Sequence, residues 1–165
     1  MKKRIFALFA ALLITVSLFG CGGGSDETVS MYALSREMLA ALNTEENMLY
    51  VSTADADAAD KFVYISDMDY GDVRDFFLLY AEDGKGNADE IAVIAVKNQR
   101  SVSAAEESLR AHLSKRTALY ESYDPTQLEK LNGAVCETVG RYAVLVVAED
   151  PAPVIRALHS FLSAE

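Results

Sequence analysis

The sequence has no tryptophan, and only two cysteines, two histidines and three prolines in 165 residues. Two cysteines cannot build a disulfide scaffold or a four-cysteine zinc site. The histidines, His112 and His159, lie far apart with no H-x-x-x-H or Cys–His spacing, so the usual zinc patterns are missing. Basic side chains are scarce: 15 Lys+Arg face 25 Asp+Glu, for a net charge of −10 and a pI near 4.6. Such a chain offers no basic face to displace counterions from a phosphate backbone, which excludes a general nucleic-acid binder. No apolar run reaches the roughly 20 residues that a membrane-spanning helix needs. A G-x-S-x-G nucleophile elbow is missing as well.

What is present begins at the N-terminus. Met1-Lys2-Lys3-Arg4 is a basic opening, and Ile5 to Phe19 is apolar except for Thr15 and Ser17. A run of that length followed by small residues reads as the hydrophobic region of a signal peptide. Leu18-Phe19-Gly20-Cys21 resembles the bacterial lipobox, with a leucine and a small residue three and one positions before a cysteine. That resemblance implies cleavage before Cys21 and attachment of a diacylglyceryl group to its thiol. The domains expected are therefore a signal peptide over 1–20, a flexible tether over 21–29 and one α+β domain over 30–165. Gly22-Gly23-Gly24-Ser25 gives the tether its flexibility. The signal carries three basic residues and no acidic ones, so the mature chain has 12 basic and 25 acidic residues, a net of −13. An anionic lipid surface would repel such a domain, so lipid and not surface charge must hold it there.

In the mature chain, Met31, Leu34, Met38 and Leu42 recur at helical spacing and predict a helix over 30–42. Asn43 to Val51 reads as irregular connection or a weak strand, and 55–64 as a short helix. Val73 to Ala81 and Glu90 to Lys97 are apolar runs separated by turn residues, hence a hairpin with a long loop. Ser101 to Tyr123 is the longest helical pattern, closed by Asp124-Pro125, and Thr126 to Leu131 forms a further helical turn. Ala134 to Val139 alternates as an edge strand does. Gly140-Arg141 suits a two-residue type II′ turn into the apolar strand from Tyr142 to Ala148. Asp150-Pro151 opens the last helix. The order predicts a four-stranded antiparallel sheet with helices mainly on one face.

Ala88-Asp89-Glu90-Ile91-Ala92-Val93, Tyr123-Asp124-Pro125 and Gly140-Arg141-Tyr142 with the following Val144-Leu145-Val146-Val147 give a further likeness. On these stretches the chain resembles a family of small lipoproteins from Gram-positive bacteria, catalogued as a domain of unknown function. The likeness spans roughly 30–162 and implies an extracytoplasmic lipoprotein of this size. It implies no substrate, reaction or partner.

The candidate sites are few. Asp67, Asp69, Asp72 and Asp75 form the densest acidic cluster, but no EF-hand frame fits: a loop starting at Asp67 would place Asp72 where glycine belongs and Leu78 where glutamate belongs. Caps and turns explain the aspartates better, with a weak cation site left open. Asp83-Gly84-Lys85-Gly86-Asn87 lacks the ending and the following helix of a phosphate loop, and reads as a hairpin tip. Cys136 falls mid-strand among apolar residues, where a thiol behaves as a small hydrophobe. Eight tyrosines complete the rim of the core or form a recognition surface. No catalytic residue, metal or cofactor is expected, and Cys21 is the one site named, for lipid. The expected role is a non-enzymatic, membrane-anchored module at the cell envelope that binds a protein or small ligand. The alternatives are an accessory subunit recruited through a sheet edge and an enzyme with an unrecognised carboxylate site.

Overall fold

The computed structural model describes residues 29–44, 47–82 and 86–164. Cys21, the signal peptide and most of the tether lie outside the described residues. Helix α1 (Met31–Leu42) starts where Ser30 accepts a hydrogen bond from the Ala33 amide, and it ends at Asn43 in the left-handed region. Strand β1 (Met48–Ser52) follows, then the five-residue helix α2 (Ala58–Phe62). Strands β2 (Val73–Ala81) and β3 (Glu90–Val96) form the long hairpin. Helix α3 (Val102–Tyr123), the short α4 (Leu128–Asn132), strands β4 (Val135–Val139) and β5 (Tyr142–Val147) and helix α5 (Ala152–Ser163) complete the chain. Gly140 has φ +56° and pairs Val139 with Tyr142 across the two-residue turn. Arg141 is not among the positive-φ residues, which fits type II′ rather than I′.

The sheet has five antiparallel strands in the order β1-β2-β3-β5-β4, not four. The added strand is the Asn43–Val51 stretch: Met48 to Ser52 pairs along its whole length with Phe77 to Ala81. Helices cover both faces, which corrects the expectation of helices mainly on one face. Phe77, Leu79, Ile91, Val93 and Val144 point toward α1 and α5, while Phe76, Leu78, Ile94, Leu145 and Val147 point toward α2 and α3. The physical reason lies in the strands. β3 and β5 are buried at every position, because alternate side chains enter two different cores. Neither face of the sheet is therefore left open across its full width. The edges are β1 and β4, and β4 is the edge that its alternation predicts.

Candidate functional site

Helix α3 lays Val102, Ala105, Leu109 and Tyr120 onto the sheet. One turn further along from that seam, His112 and Arg116 stand four residues apart and reach the first residue of β3. Glu90 shares the α3 side of the sheet with Ala92 and Ile94, and its side chain is 4% exposed. His112 Nε2 donates to Glu90 Oε1 at 2.8 Å, and Arg116 Nη1 lies 3.0 Å from Oε2. Arg116 Nη1 also donates to the Ala88 carbonyl at 3.2 Å, while its guanidinium sits 5.6 Å from the centre of the Tyr120 ring. Both carboxylate oxygens of Glu90 are thus occupied. The pairing is what allows a charge to sit in the middle sheet layer.

The segment before Glu90 is tied down just as closely. Tyr120 donates to the Asn87 carbonyl at 3.1 Å, and the Ala88 amide donates to Gln127 Oε1. Lys130 on α4 lies 2.7 Å from Asp89 Oδ1 and donates to Asn87 Oδ1 at 2.8 Å. Asp89 Oδ1 has this ion pair but no well-directed hydrogen bond, while Asp89 Oδ2 accepts from Asn87 and Thr44. Residues 87–90 therefore hold the entry of β3 against α3 and α4.

A groove opens beside this cluster. The short helix α2 and the Val63–Ser66 stretch after it cover β1 and β2, whereas α3 lies over β3, β4 and β5. Between them is a cavity of about 410 Å³ with Val51, Leu78 and Ala81 among its floor residues. Ile65, Tyr64 and Lys61 line one side, and His112, Arg116 and Tyr120 the other. Tyr64 is 76% exposed at the lip. Arg116 and Tyr120 also border a second cavity of about 470 Å³, whose outer wall is Leu119 and Tyr123.

The residues singled out in the sequence lie elsewhere. Asp67, Asp69 and Asp72 are exposed, and Asp69 caps a turn by accepting from the Gly71 amide at 2.8 Å. Strand β2 takes Asp75 away from them, to a shallow depression beside Ser30, Tyr32 and Tyr50. Among the described residues, no three acidic, histidine or cysteine side chains are grouped to hold a metal ion. Of the hairpin tip, Gly86 and Asn87 are described: Gly86 has φ +67°, and Asn87 serves the Asp89–Lys130 contact. His159 pairs with Glu137 at 2.8 Å, on an exposed site away from the groove. The tyrosines divide: Tyr120 and Tyr142 are buried, while Tyr32, Tyr64 and Tyr123 are well exposed.

Cys136 is buried, and its Sγ approaches the Glu106 carbonyl at 3.8 Å. Burial raises its pKa to about 11, against a smaller lowering by Arg110. The thiol is then protonated and poorly nucleophilic at neutral pH. Iodoacetamide at pH 8 should leave Cys136 unlabelled in the native protein and label it rapidly in urea, as followed by mass spectrometry. The raised pKa favours the folded state below the thiol's unfolded value. That contribution is lost as pH climbs toward about 11, so stability should fall over this range in wild type and less in Cys136→Ala.

Glu90, His112 and Arg116 were not readable as a set. The available signal was the i,i+4 spacing of His112 and Arg116 on one helix and a charge at the head of an otherwise apolar strand. Neither curated proteins nor solved structures give a match to this chain. A family model described as a domain of unknown function (DUF4358) matches residues 45–148. The match includes all five strands, α3 and the Glu90–His112–Arg116 cluster, and leaves out α1 and α5. It covers more than half of the chain, which therefore belongs to the DUF4358 family.

Proposed function

We propose that the protein is an extracytoplasmic lipoprotein, anchored through Cys21, that acts as a non-enzymatic binding module through the groove between α2 and α3. The observation that carries the binding role is the groove itself: a concavity lined by apolar sheet residues and by the fixed Glu90–His112–Arg116 cluster, within the size range of small-molecule sites. The chemistry around it favours binding over catalysis. His112 Nε2 is engaged by the Glu90 carboxylate at 2.8 Å, and the nearby Ser66 and Ser108 hydroxyls are bonded to each other at 2.7 Å. Recruitment through the β4 edge is the weaker reading, because Arg110 already occupies the Cys136 carbonyl of that strand at 2.6 Å.

The anchoring part rests on the N-terminal sequence. Among the described residues no helix is long and apolar enough to cross a membrane. Two acyl chains, at ~0.8 kcal/mol per buried methylene, would bind durably. Cys21→Ala should shift the protein out of the membrane fraction or leave uncleaved precursor, without the mass added by lipid. Unchanged fractionation and unchanged mass would sink the anchor.

A further inference from the structure

We propose that the groove takes a small molecule with an apolar body and a single carboxylate, seated on the free edge of the Arg116 guanidinium. The inference rests on the groove being a binding site and names what it binds. Three charged side chains line the groove: Lys61, Glu90 and Arg116. Glu90 cannot receive a cation, because His112 and Arg116 already occupy both of its oxygens. Lys61 is held at the mouth by Asp55 and Asp57, at 3.3 and 3.0 Å.

Arg116 differs from both. It spends only Nη1 on Glu90 and Ala88, so Nε–H and the Nη2 hydrogens have no partner among the described residues. Those two nitrogens form one edge of the guanidinium, the fork that matches the two oxygens of a carboxylate. The fork needs no reorganisation, since Glu90, the Ala88 carbonyl and the face of Tyr120 already fix its plane. Arg116 lines the groove together with apolar Val51, Leu78 and Ala81, and fixed donors beside such a floor select a molecule that is anionic at one end and greasy along its body.

The test uses the full chain purified in mild detergent, with empty micelles as the blank. The probes are 4-phenylbutyrate, 4-phenylbutylamine and 4-phenylbutanol, which share a body and differ in head group. The acid is expected to bind at least tenfold more tightly than the other two by calorimetry and to shift the Arg116 Nε–H resonance. Arg116→Gln should bring the acid to within about twofold of the alcohol, while Arg156→Gln on exposed α5 leaves the preference intact. Tyr64→Ala, at the exposed lip, disturbs no core and should weaken acid and alcohol alike. The resonance shift is read in wild type, so the outcome does not depend on the folding of the Arg116 variant. Equal or tighter groove binding by the amine or the alcohol overturns the carboxylate assignment and leaves the groove as a binding site. No perturbation of the groove by any of the three overturns both.

Discussion

Glu90→Ala is expected to cost about 3–5 kcal/mol of stability and to lower the melting temperature by roughly 10–20 °C. The reason is what the substitution leaves behind. Arg116 and His112 are 17% and 13% exposed, so each has given up most of its water for the Glu90 carboxylate. Without it a guanidinium remains beside an apolar sheet with one backbone carbonyl, that of Ala88, as its protein acceptor. Such an uncompensated charge is far more costly than the intact pair is stabilising. Replacing Glu90, His112 and Arg116 together with leucine and methionine should recover most of the loss. Urea unfolding of wild type, Glu90→Ala, Arg116→Met and the double variant measures the coupling, which should exceed 1 kcal/mol. A loss below about 1 kcal/mol for Glu90→Ala would mean that water already reaches the cluster, as at an exposed pair. Recovery in the all-apolar variant would also show that stability is not what retains these charges, which is what a binding role for Arg116 requires.

The fold and the site differed in how far the sequence exposed them, for a common physical reason. Local signals carried the elements that stabilise themselves. Ser30 with the Met31–Leu42 periodicity, Asp124-Pro125 after α3 and Gly140-Arg141 between β4 and β5 each act within a few residues, and each lies where the pattern places it. β1 was only half legible, because Met48-Leu49-Tyr50-Val51 is short and becomes a strand by pairing with β2. Coverage of both sheet faces had a visible sign in Phe76-Phe77-Leu78-Leu79. Consecutive apolar residues on a strand must enter opposite layers, so a run of four already requires two cores. The Glu90–His112–Arg116 cluster had no comparable sign. Its members meet only because the chain crosses from β3 to β4 by way of α3, and crossovers are not written in local periodicity.

Those two cores should respond differently to the same deletion. Phe76→Ala and Phe77→Ala each remove a fully buried ring from adjacent positions of β2, and each should cost about 3–5 kcal/mol. Phe76 lies 5.1 Å, centre to centre, from Phe62, and 6.2 Å from Tyr70. Phe62 is the last residue of α2, a helix too short to persist without tertiary packing. Removing its ring partner should release α2 and the following Tyr64–Ser66 stretch, one wall of the groove. Phe77 packs in the other core, with Tyr50 stacked on it at 6.3 Å, and has no part in that wall. Hydrogen exchange on the folded variants separates the two cases. In Phe76→Ala the amides of 61–66 should lose protection beyond the global loss, and the acid preference of the groove should fall with them. In Phe77→Ala protection should fall uniformly, leaving the preference intact at temperatures where the protein is folded. Equal local loss in both variants would mean that α2 is held by the sheet as a whole. The groove would then be no more adjustable than the rest of the core.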